Sequence, residues 1–576
     1  MKLALVVVAA AFVATDSGVA SPETVSDAFE IAAAPVPVGR VDKLVFAGLA
    51  RLKVHPVLCS DAVFVRRAYL DVIGTLPTAK EARDFIQDAD TKNKRRLLID
   101  RLLDRPEFAD YWAMRWGDIL RIKAEFPINL WPNAAQAYHH WVRSSIAEDK
   151  PYDKFVRELL TSSGSNFRVG PVNFFRAVQN RTPEGIATSV ALVFMGTRVG
   201  SWPADRLAGM AAFYSQVGYK PTAEWKEEVV FWDPLGASHT TGNAVPGRDA
   251  IAPPKPSPTA AAAPAPPEPA VVSAPHEPAF PDGKKVKLAA DRDPREAFAD
   301  WLITPKNPWF TRAIANRVWY WLMGRGIINE PDDIRPDNPP SNPALLSYLE
   351  KELIRGHYNL KGLYRLILNS ETYQLSSIPR SDGPHLEGSQ AEASFANYRV
   401  RRLDAEVLID AINKINGTTD LYTSPIPEPF TYIPENKPAV ALPDGSITSP
   451  FLALFGRPAR ATGMENERDH KPLAAQSLYL LNSTNIQRKI DLGPKLKELF
   501  ASGRKTREIT DELYLTVLSR FPTQEEAKTA ELYSSFRTAA RPAKPGAPQV
   551  PAAKRREDWV DIAWSLINTT EFRYRH

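Results

Sequence analysis

The chain has 576 residues and a mass of 64.0 kDa, which exceeds one ordinary domain and predicts about two to four. Its net charge of +5 is a slight excess of 72 basic over 67 acidic residues, and no basic run is interleaved with aromatics, which excludes a nucleic-acid groove. A single cysteine, Cys59, excludes an internal disulfide, a Cys-rich zinc site, an iron–sulfur cluster and a covalently attached haem.

In chain order, the first feature is an export signal over residues 1–20. Lys2 precedes an apolar run from Leu3 to Ala14, and the small residues Gly18 and Ala20 stand before Ser21. The mature protein is therefore expected in the periplasm or the extracellular space. The run is too short to span a bilayer and no later stretch is longer, so no membrane span is expected after its removal.

Two helical regions follow, at 40–235 and 288–576. Between them, the segment 252–281 has 11 prolines and 9 alanines, a composition that favours extended polyproline II and buries no core. A second Pro/Ala/Lys stretch, 541–556, predicts an exposed loop. Lys94 to Leu103, Ile314 to Met323 and Ala344 to Leu353 carry leucine, isoleucine and tryptophan at helical spacing, the last behind an Asn342-Pro343 start. Arg399 to Leu403 alternates but is too short to count as a sheet. The predicted fold is mainly α.

An internal echo is offset by 445 positions throughout, Tyr69 answering to Tyr514. Leu76-Pro77-Thr78 with Glu81 returns as Phe521-Pro522-Thr523 with Glu526. Each predicts a helix, a short turn and a second helix begun by a capping box. Each is followed by a Glu-Phe pair, Glu107-Phe108 and Glu571-Phe572. This is a duplicated helix-turn-helix module near the two ends.

The densest polar stretch runs from Asn316-Arg317 through Gly324-Arg325-Gly326 to Glu330-Pro331-Asp332-Asp333-Ile334-Arg335-Pro336-Asp337. Glu330, Asp332 and Asp333 are candidate catalytic carboxylates for acid/base work. With Asp337 they also suit a hard cation, or pair with Arg317, Arg325 and Arg335 as a structural loop. No phosphate loop, HExxH or GxSxG occurs. His139-His140 are adjacent and would point apart on a helix. Trp301, Trp309, Trp319 and Trp321 form either a sugar-stacking platform or core.

From Phe64 to Thr78 the chain, FVRRAYLDVIGTLPT, resembles the opening of the DUF1549 family, also called PSCyt2. The resemblance continues at Leu102–Pro106, Trp112–Asp118 and Asn173–Arg176. Asp293-Pro294-Arg295, Asn307-Pro308, Asn316-Arg317-Val318-Trp319, Gly324-Arg325-Gly326, Asp332-Asp333 and Ile367–Tyr373 resemble the DUF1553 family, PSD1. The resemblance implies an exported bacterial protein with a DUF1501 sulfatase-like protein as partner and polysaccharide as ligand. It names no reaction. Relatives carry a CxxCH-like element where this chain has Met195-Gly196-Thr197-Arg198, and a C-E-C-E-R element after F-G-R-P where it has Met464-Glu465-Asn466-Glu467-Arg468.

Losing both elements together implies that they meet in space. Asn316, Arg317, Arg335, Arg457, Glu465, Glu467 and Arg468 are accordingly the candidate ligand-binding residues. No metal site and no cofactor are expected. Two functions remain open: an exported non-haem binding or scaffold protein that handles complex polysaccharide, or a carboxylate-dependent hydrolase or lyase acting on an anionic glycan.

Overall fold

Local capping chemistry sets where the helices start. Ser60 accepts the Val63 N–H at the head of Asp61–Val72, and Asn342 accepts the Leu345 N–H at the head of Pro343–Arg355. Lys94–Leu103 and Phe310–Met323 are also helical. In the computed structural model, which describes residues 28–31, 34–235, 277–378, 389–533 and 554–576, about 54 % of the described residues are helix and 5 % strand. The fold is mainly α, with 24 helices among the described residues. The export segment 1–20 and most of the 252–281 and 541–556 segments lie outside the described residues.

Strands are short. Val217–Pro221 and Glu228–Trp232 pair antiparallel, with Gly164–Ser165 on the other edge of Glu228–Trp232. Arg401–Arg402 pairs with Tyr574–Arg575, which gives the alternation at 399–403 a partner from the far end of the chain.

The internal echo is structural. Thr78 and Glu81 form a capping box at Ala79–Gln87, and Thr523 and Glu526 form another at Gln524–Leu532. In one copy Arg105 bridges Glu81 at 2.9 Å and Glu107 at 2.6 Å. In the other Arg520 bridges Glu526 and Glu571, each at 2.7 Å. Glu81 and Glu526 occupy equivalent positions, while the arginine arrives from a different place in each copy. The copies also touch. Ala79 and Ala82 pack on Leu515, and Arg66 donates to the Val517 and Phe572 carbonyls at 2.9 and 2.7 Å.

Residues on both sides of the Pro/Ala-rich segment share one hydrophobic core. Trp112 and Trp116 from Pro106–Ile119 lie 5.3 and 5.7 Å from Trp321 of Phe310–Met323, centroid to centroid. Trp319 and Trp321 are thus core residues, whereas Trp301 and Trp309 are partly buried and Trp301 stacks on Phe280. His139 is buried and His140 exposed, as adjacent positions on one helix require. Cys59 is buried in the strand Leu58–Cys59. Among the described residues, no helix is long and apolar enough to cross a membrane.

Candidate functional site

The Phe310–Met323 helix ends at Gly324, whose φ of +77° closes the last turn. The chain then doubles back beneath the helix. Asn316 holds the return with two hydrogen bonds to Ile328, donating to its carbonyl and accepting its N–H, both at 2.9 Å. Gly326 must be glycine, since a Cβ there would sit 2.2 Å from the Ile328 oxygen. Gly324-Arg325-Gly326 is therefore a reversal, and Asn316 is its clamp.

The reversal delivers residues 330–335 to the end of the Pro183–Met195 helix. Ile334 N–H donates to the Gly196 carbonyl at 2.8 Å, and Thr197 Oγ1 donates to the Ile334 carbonyl at 3.0 Å. Arg317 caps the same helix end, donating to the Val193 and Leu192 carbonyls at 2.6 and 3.4 Å. A cation at a helix C-terminus is favoured by the unpaired carbonyls and the macrodipole.

The third segment, 464–468, closes on both. Asp332 takes Arg317 Nη2 on one oxygen and the Glu465 N–H on the other, each at 2.7 Å. Glu465 Oε1 accepts the Trp321 indole N–H and lies 3.8 Å from Arg317 Nε. Burial pushes the Glu465 carboxyl up; Arg115 and Arg317 pull it down and Asp332 pushes it up, leaving it above the usual carboxylate range. At the surface Glu330 bridges Arg198 and the Asn466 amide. The Met195–Arg198 and Met464–Arg468 segments thus meet through Glu330.

The remaining candidates divide. Glu467 accepts the Ala461 and Thr462 N–H groups at 2.8 and 3.0 Å and shapes its own loop. Asp333 and Arg335 pair with each other at 3.2 Å on the surface, and Arg335 also reaches Asp337 at 3.4 Å. Arg457 and Arg468 turn inward to Glu406, at 3.1 and 2.7 Å. Asn316 and Arg317 are wholly buried.

Arg468 leads into a larger buried network that sequence reasoning did not name. It binds Asp118 at 2.7 Å, and Asp118 also takes Arg460 at 2.9 Å. Asp404 binds Arg575 at 2.7 Å and lies 3.6 Å from both Arg115 and Arg468. Asp71 receives Arg575 at 3.1 Å and the hydroxyls of Tyr373 and Tyr398 at 2.9 and 2.7 Å. The available signal was a lone charge inside an apolar helical run: Asp71 in YLDVI, Arg115 and Asp118 in WAMRWGDIL, Glu406 in DAEVLI. Chemically, the arrangement neutralises buried carboxylates with forked guanidinium groups. No group of three or more histidine, cysteine, aspartate or glutamate side chains arranged to hold a metal occurs among the described residues.

Next to the network lies a cavity of about 40 Å³ lined by Phe108, Trp112, Trp116, Tyr152, Phe155 and Tyr364, among others. The Ser145, Tyr152 and Tyr364 hydroxyls at this cavity make no hydrogen bond.

Residues 40–200 match the family model described as a protein of unknown function (DUF1549), PSCyt2. Residues 294–533 match that described as a protein of unknown function (DUF1553), PSD1. No curated protein and no solved structure matches the chain. With both models matched in order and their motif residues built into one shared charge network, the chain belongs to the DUF1549/DUF1553 family.

Proposed function

We propose that this is an exported, non-haem binding or scaffold protein that handles complex polysaccharide beside a DUF1501 sulfatase-like partner. The observation that supports this reading is the engagement of the candidate residues with one another. Arg317, Asp332, Glu465 and Arg468 are buried, and each has a charged or hydrogen-bonding partner within the fold. Such groups hold segments in register; a ligand would have to displace those partners to reach them. The hydrolase or lyase reading needs an accessible carboxylate pair. Asp332 has both oxygens occupied, and Glu330 and Asp333 face Arg198 and Arg335.

The test is to incubate the mature protein with sulfated and uronate-containing polysaccharides and follow both retention on the polymer and release of new reducing ends. Retention without release is expected. Release that disappears in a Glu330→Gln, Asp333→Asn double variant of unchanged melting temperature would overturn the scaffold reading in favour of catalysis. A pull-down with the sulfatase-like protein checks the partner.

A further inference from the structure

The geometry points to an oxyanion-binding site at the Lys414–Lys495 groove, taking a single sulfate, phosphate or carboxylate group. The groove encloses about 360 Å³ between the Leu76–Lys80 turn, the end of Ala405–Asn416 and the helix Pro494–Phe500. Lys80, Lys414, Lys495 and Arg504 line it, with Glu498 and Glu512. This site shares no residue with the buried network.

Three of these six charges are already compensated, and Glu498, exposed at the rim, has no cation within 4.0 Å among the described residues. Lys80 pairs with Asp84, and Glu512 is held by Arg83 at 2.7 Å and lies 3.7 Å from Arg504. Lys414 and Lys495 differ. Among the described residues, no carboxylate lies within 4.0 Å of either ammonium, although Lys414 is largely withdrawn from water. Lys414 Nζ donates to the Leu76 carbonyl and to Thr75 Oγ1, and Lys495 Nζ donates to the Lys414 carbonyl at 3.1 Å. An ammonium has three donors, so one remains on Lys414 and two on Lys495. Buried charges in folded proteins are normally paired, and an unpaired one beside a second cation at the wall of a groove is complementary to an anion.

The surroundings agree. Burial pushes the Lys414 ammonium down to about 8; Glu81 and Glu107 oppose this shift, while Arg105 and Lys495 reinforce it. Glu81 and Glu107 are both bound by Arg105, so neither reaches Lys414 as a free counter-charge. An oxyanion in the groove would supply what these carboxylates do not.

The test uses the full-length protein and brief acetylation near neutral pH, with labelled lysines mapped by mass spectrometry. A depressed ammonium is partly a free amine, so Lys414 should label ahead of exposed lysines such as Lys43. Sodium sulfate should slow its labelling about tenfold more than sodium chloride of the same ionic strength, which controls for screening. Lys495→Ala, a change at the groove rim, should raise the sulfate concentration needed for half protection by about tenfold. Dextran sulfate and polygalacturonate then separate a free oxyanion from one carried on a polymer, and protection by any of the three supports the site. Equal protection by chloride, or no change in Lys495→Ala, overturns it.

Discussion

Asp332 receives the backbone N–H of Glu465 at 2.7 Å, across 133 residues of sequence. With Arg317 on its other oxygen, this one carboxylate joins the helix Phe310–Met323, the loop after it and the 464–468 segment. The consequences are energetic and can be measured.

Arg468→Met should destabilise the protein by about 3–5 kcal/mol, because it leaves Asp118 and Glu406 buried beside fewer cations. Arg335→Ala, an exposed arginine whose partners are the half-buried Asp333 and the exposed Asp337, should cost at most about 1 kcal/mol. Urea denaturation of the two variants measures the contrast. Equal effects would mean that the network does not hold the fold.

Acid should weaken the protein through the same network. Burial alone would raise Asp404 and Glu406. Arg575, Arg115 and Arg468 nevertheless hold Asp404 well below the usual range, and Arg468 and Arg457 hold Glu406 below it. A depressed carboxylate stabilises the fold fully above its unfolded value, here up to 4.5, and this contribution is lost as pH falls through the folded value. Glu465 is shifted the other way, so it penalises the fold increasingly as pH rises above 4.5. Glu465→Gln should therefore stabilise the protein more at pH 8 than at pH 5, as read from melting temperatures across that range. A gain that is equal at both pH values, or larger at pH 5, would contradict the shift.

Two buried tyrosines make a paired test. Tyr373 donates its hydroxyl to Asp71 at 2.9 Å, whereas the Tyr364 hydroxyl has no partner. Tyr373→Phe should cost about 1–3 kcal/mol, since it removes a donor from a buried carboxylate. Tyr364→Phe should be neutral or stabilising, because an unpaired hydroxyl is removed. Denaturation midpoints decide between them.

The helix caps should behave alike in the two copies of the repeat. Thr78→Ala and Thr523→Ala each remove the side-chain acceptor for an N–H three residues on, and each should cost about 1 kcal/mol. A cost in only one copy would mean that the shared pattern has diverged in use.

The sequence exposed what is encoded locally. Thr78 with Glu81, and Asn342 before Pro343, announce helix starts because cap and N–H lie within three residues. The approach of 195–198 to 464–468 runs through a third segment, with Glu330 holding both Arg198 and Asn466, and neither segment announces that partner locally. The inward or outward fate of neighbours was not legible. Asp332 is buried on Arg317 while Asp333, one residue on, faces the surface, and nothing in the run of acids distinguishes them. Asp118, Asp404, Glu406 and Arg575 were missed for a related reason: each is a single charge whose partner lies far along the chain, so only tertiary packing reveals it.

Arg575 joins Asp71 across 504 residues of chain and pairs with Arg401 in a short antiparallel strand. A ribosome makes Asp71 long before Arg575 exists, and contacts of such separation form late and slowly. Until residue 575 emerges, Asp71 has only Arg401, at 3.4 Å, and Asp404 has only Arg115 and Arg468, at 3.6 Å, among the arginines that reach them. The charged residues of the helix Asp61–Val72 are seated by partners far along the chain, Arg67 by the Tyr373 and Leu375 carbonyls and Asp71 by Tyr373, Tyr398, Arg401 and Arg575. The closest ion pairs of Asp71 and Asp404 thus span much of the chain, and contacts of such separation cost the most loop-closure entropy to form.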